Sequence, residues 1–264
     1  MLRFEIMERR DLLSLVGSPD EPGGSLVGPI LPSSLAAGMP GSQEVRPTFI
    51  TADQEGDVAQ DGSLGPVGKT PAQIRQAYAV NQITLDGGAI QGDGTGQTIA
   101  IVDAYDDPTI SADLNNFDQT FGLAAPPSFK KVDQDGGTNY PSVDTLDAPG
   151  DTWEVEEALD VEWAHALAPG ANILLVEASV TASGPDLDDL MAAAEYAASV
   201  PGVSVVSMSW GTSEFSSEAQ FDSDFVTPAG HSGVTFVAST GDQGAPGEYP
   251  AYSPNVLAVG GTSL

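Results

Sequence analysis

The regular alternation of short apolar runs with segments of helical periodicity constrains the fold of this chain more than any other feature. Runs rich in Val, Ile and Leu predict strands at 98–104, 129–134, 172–178, 203–209, 234–239 and 256–260, and amphipathic patterns predict helices from Thr70 and over 110–121, 152–167, 185–199 and 217–231. Aliphatic strands separated by helices are typical of a parallel sheet covered on both faces. The predicted fold class is therefore α/β with a mostly parallel central sheet, whose active site is expected at the carboxyl ends of the strands.

A change in composition divides the chain into a leader and an ordered domain. Residues 17–68 are rich in Gly, Pro, Ser and acidic residues without sustained periodicity, which predicts a disordered leader or linker. Thr70 is suited to cap a helix, and Pro71 is suited to its first position. We therefore predict one ordered domain over 69–264.

The first residues carry a pattern of their own. Residues 1–16 include FEIMERRDLLS, which resembles a short E-x-R-x-L-L-S segment at the start of many exported bacterial surface proteins. We interpret this stretch as an export segment and expect a secreted or cell-surface protein. The alternative interpretation is a short amphipathic helix without any address function.

Charge and cysteine content exclude several classes of partner and chemistry. The 264 residues include 38 acidic and eight basic side chains, for a formal net charge of -30. Such a chain would be repelled by the phosphates of nucleic acids and of anionic membranes, so neither is an expected partner. No apolar run is long enough to span a bilayer. The absence of cysteine excludes disulfides, a thiol nucleophile and thiolate metal sites.

Two carboxylates share one face of a predicted helix. In DTWEVEEALDVEWAHALAPGANI (151–173), Asp151 is the predicted N-cap, and Glu156 and Asp160 are four residues apart. At that spacing the two groups are able to share a proton, which raises one pKa and lowers the other. The alternative is that both are solvated surface acids. The neighbouring acids Glu154, Glu157 and Glu162 are interpreted as surface acids of the same helix.

Several motifs in order resemble those of one protease family. VEWAHALAPGANILLVEA follows the carboxylate pair, and TPAQIRQAY, IAIVDAYDDP, SMSWGTSE, ASTGDQG and YPAYSPNVLAVGGTSL occur in the same order as in the sedolisins, the serine-carboxyl peptidases. The resemblance extends over nearly all of the chain from Thr70. It implies a three-layer subtilisin-like fold, of which this chain would hold the N-terminal two-thirds.

The resemblance also implies catalytic roles for three carboxyl groups. Glu156 would be the general base for a serine hydroxyl, and Asp160 would orient Glu156 and hold its proton. Asp242, in the S-T-G-D turn, would be protonated and would donate a hydrogen bond to the oxyanion of the tetrahedral intermediate, with Gly241 and Gly244 allowing the turn. Because these roles need carboxyl protons, we expect the reaction to favour acidic solution.

The same resemblance implies a site for the substrate. The backbone of Ser209, Trp210 and Gly211 would pair with an extended peptide as an added strand, so unfolded protein is the expected substrate. The alternative for Trp210 is an aromatic side chain that covers the core. A complete protein of this kind is expected to be a monomer.

The chain departs from the family at the nucleophile. The family's G-T-S-x-x-x-P motif has no match, and the G-T-S-L of Gly261 to Leu264 follows the predicted strand 256–260, so Ser263 is interpreted as a decoy. We expect the nucleophile to lie outside this chain and the chain alone to be inactive. The family's calcium-binding loop is also missing, so no cofactor is expected here, although a complete parent could bind calcium.

Two other functions remain as alternatives. A histidine mechanism would use Asp103, but His165 and His231 are interpreted as charges at helix ends, and neither lies in an H-G-T-H-like helix. We therefore reject that mechanism. The second alternative is a noncatalytic surface or adhesion module on a protease-like fold, since a fold does not determine a function.

Overall fold

The computed structural model describes residues 45–47, 68–145, 152–242 and 244–261, and a six-stranded parallel sheet lies at its centre. The strands are β4 (Thr98–Ala104), β5 (Phe129–Asp133), β6 (Asn172–Ala178), β9 (Val203–Met208), β11 (Thr235–Ser239) and β13 (Val256–Val259). Their order across the sheet is β13-β11-β9-β4-β6-β5, and every neighbouring pair is parallel. The predicted α/β fold class is confirmed, as are the six strands, to within one residue at their ends.

Four helices lie in the described ranges: α1 (Pro71–Ala77), α2 (Ile110–Phe121), α3 (Trp153–Leu167) and α4 (Leu187–Ser199). The cap predicted at Thr70 is confirmed, and it is part of a capping box: the Thr70 hydroxyl accepts from the Gln73 amide, while the Gln73 side chain accepts from the Thr70 amide. α3 has Thr152 as its N-cap residue. The predicted cap, Asp151, lies outside the described residues.

Seven short strands complete the described structure: β1 (Arg46–Pro47), β2 (Thr84–Leu85), β3 (Ile90–Gln91), β7 (Val180–Thr181), β8 (Gly184–Pro185), β10 (Trp210–Ser213) and β12 (Glu248–Tyr249). β2 and β3, and β7 and β8, form antiparallel hairpins, whereas β10 lies between β1 and β12. Strands of two to four residues are too short to leave a periodic signal in the sequence, and none of the seven was predicted.

The helix predicted over 217–231 is wrong. The structure has only two 3₁₀ turns there, Glu218–Gln220 and Asp222–Asp224. Phe225 is buried and packs edge-on against Phe236, with ring centroids 5.6 Å apart, and the Tyr249 hydroxyl donates to Asp222. These contacts to β11 and β12 require an irregular path, so tertiary packing overrides the apparent helical pattern.

The two faces of the sheet bury different helices because side chains alternate along each strand. Val102, Leu174 and Val176 lie in one core cluster with the residues of α4. Ile101, Ile173 and Leu175 lie in a second cluster with Val161 and Ala164 of α3 and with α2. The result is a three-layer arrangement. The same alternation directs Asp103 and Glu177, two residues beyond Ile101 and Leu175, toward α3.

Candidate active site

The predicted site residues follow strands that end at one edge of the sheet. Ser209 follows β9, Asp242 follows β11 by three residues, and Asp103 is the penultimate residue of β4. Since β4, β9 and β11 are parallel neighbours, their carboxyl ends lie side by side. α3 runs between β5 and β6, so its first turns start from this same edge. The topology therefore brings the start of α3 and the segments that follow β9 and β11 to one region of the structure.

Glu156 and Asp160 are completely buried, which contradicts their interpretation as solvated surface acids. They are the fourth and eighth residues of α3, on one face of the helix. The pKa of Asp103 is raised well above its ordinary value, first by burial and then by the charges of Asp160 and Glu177. Asp103 thus lies close to the carboxyl dyad formed by Glu156 and Asp160, and a burial-driven rise in pKa at a strand end is typical of a functional carboxyl group.

Glu157 is buried as well, so its interpretation as a surface acid is wrong. Burial raises its pKa well above the ordinary value, and the nearby charges of Glu177, Asp103 and Asp107 raise it further. Glu177 accepts from the amide of Asp107 at 3.2 Å and pairs with Lys131 Nζ at 2.9 Å. Sequence reasoning missed Glu177, although an acid at a core-facing position of an aliphatic strand is the signal that could have found it.

Neither histidine is arranged for a subtilisin-type mechanism. His165 lies in the last turn of α3, at the helix end where it was expected. It is buried there, and its Nε2 lies 2.9 Å from the carbonyl oxygen of Ala124 and 3.2 Å from Asp118 Oδ1. Helix α3 continues to Leu167, and no helix ends at His231. The carboxyl neighbours of Asp103 are Asp160 and Glu177, which agrees with rejecting the histidine mechanism.

β10 already carries an added antiparallel strand. Arg46 of β1 is opposite Gly211, and Pro47 is opposite Trp210. The preceding residue, Val45, is buried in the same core cluster as Trp210. Trp210 itself is completely buried, and its Nε1 donates to the carbonyl of Val102 at 2.8 Å, so its side chain belongs to the core as the alternative interpretation held. The backbone edge of β10, by contrast, accepts an extended segment.

A tight turn presents Asp242 next to β10. Gly241 and Gly244 have φ values of 89° and 77°, as the predicted turn requires. The Glu248 side chain passes between the two loops: a Cβ on Gly211 would lie 2.6 Å from Glu248 Oε2, and a Cβ on Gly241 would lie 2.7 Å from Glu248 Cδ. Both positions therefore need glycine. Glu248 was missed because no sequence motif includes it.

Within the described ranges, no group of three or more acidic or histidine side chains is arranged to hold a metal ion. No helix in the same ranges is long and apolar enough to cross a membrane. Ser263 lies outside the described residues, so its interpretation as a decoy stays a prediction.

The comparison with known proteins agrees with the fold. A model of the subtilase family matches residues 94–264, and the chain belongs to this family. Kumamolisin from Bacillus sp. (strain MN-32) is 34% identical over 271 residues, which include 93% of this chain and 45% of kumamolisin. A Pseudomonas sedolisin, a serine-carboxyl proteinase in complex with two molecules of pseudo-iodotyrostatin, matches with a TM-score of 0.50 and 26% identity over 65% of this chain and 50% of the sedolisin chain.

These relatives confirm the resemblance to the sedolisins that the motifs indicated. The chain spans about half the length of the relatives it matches.

Proposed function

We propose that this chain provides the carboxyl machinery and the substrate strand of a serine-carboxyl endopeptidase that cleaves unfolded protein at acid pH. The observation that carries the proposal is the burial of Glu156 and Asp160 on a helix that starts at the carboxyl edge of the sheet. Burying two acids costs roughly several kcal/mol of folding free energy unless bound protons or partner groups compensate. A helix with only a structural role rarely retains such a pair. A catalytic role accounts for their retention.

In the proposed reaction, Glu156 accepts the proton of a serine hydroxyl as its oxygen attacks the scissile carbonyl. Asp160 holds Glu156 in position, and protonated Asp242 donates a hydrogen bond to the developing oxyanion. Glu156 then delivers its proton to the leaving amine. A water molecule cleaves the resulting ester by the reverse sequence, with Glu156 acting first as base and then as acid.

No residue of this chain is assigned as the nucleophile. In our proposal, the serine belongs to a G-T-S-x-x-x-P segment that follows residue 264 in a longer protein. That longer protein is also proposed to be exported, monomeric and able to bind calcium.

The substrate is proposed to bind along β10. The pairing of Arg46 and Pro47 with Gly211 and Trp210 supports this proposal, because β1 lies on this edge of β10 as an antiparallel strand and a substrate strand would take its place. Affinity from backbone pairing alone requires no particular side chain, which suits an unfolded substrate.

Two experiments test the proposal. The first is to sequence the gene beyond the codon for Leu264, where we expect the nucleophile segment. The second is to assay residues 1–264 and the longer protein on an unfolded protein substrate near pH 4. We expect only the longer protein to cleave the substrate. If no longer protein with activity is found and the short chain binds the unfolded substrate, the adhesion alternative is favoured.

A further inference from the structure

A second group of buried carboxyls lies beside the dyad and has no part in the proposed reaction. Glu157 of α3 lies against Glu177 of β6, and Glu177 is paired on its other side with Lys131 of β5 at 2.9 Å. Lys131 also contacts the Asp106 carboxylate, and it donates to the carbonyl of Asp107 at 2.9 Å. The group links α3, which carries the dyad, to two strands of the sheet.

The hydrogen bonds of this group are incomplete unless a proton is present. Both carboxyl oxygens of Glu157 and Oε2 of Glu177 are buried, and none has a hydrogen-bond partner among the described residues. Glu157 and Glu177 are each completely buried. Two ionised carboxylates in contact and away from water repel each other strongly, whereas one shared proton turns the same contact into a hydrogen bond.

We propose that Glu157 is a positioning residue for the dyad: while protonated, it donates to Glu177, which Lys131 anchors, and so holds α3 against β6 and β5. The positioning role rests on the proposed function, whereas the protonation of Glu157 does not. Loss of the proton replaces this attraction by repulsion between α3 and the sheet. Glu156 and Asp160, on the same helix, then lose their place at the carboxyl edge.

The surrounding charges favour the protonated form. The charges that act on Glu157 are those of Glu177 on β6, Asp103 on β4 and Asp107 after β4. The same cluster contains Asp160 on α3, whose charge acts on Asp103, and Asp106 and Lys131, whose charges act on Glu177, while Glu156 precedes Glu157 on α3. Only Lys131 is a cation, and it is engaged by Glu177 and Asp106. Burial is the main cause of the raised pKa of Glu157, and the acidic neighbours add to it. Glu157 therefore ionises only as the solution becomes less acidic.

Glu157→Gln tests this positioning role in the 264-residue chain. Glutamine keeps the shape and donates a hydrogen bond to Glu177, but it cannot ionise. Trp153 and Trp163 of α3 are buried, so their fluorescence reports whether α3 remains packed. We expect the pH at which native fluorescence is lost to rise by about one unit or more. The matched control is Glu195→Gln, which removes an exposed glutamate from α4 and should leave that pH unchanged.

Equal transition pH values for Glu157→Gln and the unmodified chain would overturn the proposal, and so would an equal shift in Glu195→Gln. A purely structural role for Glu157 would change the unfolding free energy by the same amount at every pH and would leave its slope with pH unchanged, whereas loss of a titrating proton flattens that slope. The readout does not depend on proteolysis, so it remains decisive even when the proposed function fails.

A measurement on the unmodified chain covers the case in which Glu157→Gln does not fold. With glutamate labelled at the side-chain carboxyl carbon, NMR reports the protonation of each glutamate directly. We expect at least one buried glutamate to stay protonated at pH 6, above the range in which ordinary glutamates titrate, about 4.3. If every glutamate resonance titrates below about pH 5, the proposal is wrong.

Discussion

Helices α3 and α4 are both rich in acidic residues, but they use them in opposite ways. α3 buries Glu156, Glu157 and Asp160 completely. α4 buries only Leu, Met and Ala, while its acids remain at the surface or at its first turn. Both helices start at the same edge of the sheet. The number of acids on a helix therefore does not predict whether those acids are buried. The acids are buried where they face strands that end in acids of their own.

The largest expected effect contrasts Glu156 of α3 with Glu195 of α4. In the longer protein, Glu156→Gln should lower kcat/KM by about 1,000-fold or more, because the variant cannot accept the serine proton. Glu195→Gln removes the same charge from an exposed site and should stay within about twofold of the unmodified enzyme. The assay is cleavage of an unfolded protein near pH 4. Equal activity of the two variants would remove the functional distinction between the helices.

Much of this contrast could be predicted from the sequence, but not all of it. The aliphatic runs predicted β4 and β6 because continuous Val, Ile and Leu mark a doubly covered sheet. The i to i+4 spacing placed Glu156 and Asp160 on one face of α3. Glu157 was misassigned because helical spacing does not reveal how wide the buried face is. It is wide here because Asp103 and Glu177 extend the contact surface beyond the apolar core.

The second expected effect is a loss of stability as pH rises. The pKa of Glu177 is raised to about 7 from an ordinary value of 4.5, mainly by burial and against the opposing effect of Lys131. An acid that binds its proton more tightly when folded stabilises the fold fully below about pH 4.5 and loses this contribution as the pH passes through about 7. Each such proton gives a slope of about 1.4 kcal/mol per pH unit between these limits.

Urea unfolding of the 264-residue chain from pH 4 to pH 8 measures that slope. The unfolding free energy should fall across this window, and Glu177→Gln should flatten the fall. A free energy that rises toward pH 8 would indicate that the buried acids of α3 and β6 are not protonated in the folded state.

A smaller effect concerns the helix ends. Asp186 caps α4 by accepting from the Asp189 amide at 3.0 Å, whereas Thr152 makes no side-chain cap to α3. Asp186→Ala should therefore cost about 1 kcal/mol of unfolding free energy. Thr152→Ala should cost less than about 0.5 kcal/mol, since the first amide of α3, that of Trp153, is bonded to Asp144 instead. Denaturant unfolding at one fixed pH compares the two. Equal losses would mean that the helices do not differ in how their first turns are held.

The smallest expected effect belongs to the exposed acids of α4, and it tests whether burial or total charge governs the response to pH. Asp188 and Glu195 are exposed, so changing both to their amides should alter the unfolding free energy by less than about 0.5 kcal/mol, with little left at high salt. The double variant nevertheless removes two negative charges from a chain of formal charge -30, while Glu157→Gln removes at most one. If general repulsion caused the loss of structure at higher pH, the double variant would shift the transition further than Glu157→Gln. Because repulsion between exposed charges is screened and that between buried ones is not, we expect Glu157→Gln to shift the transition further than the double variant does.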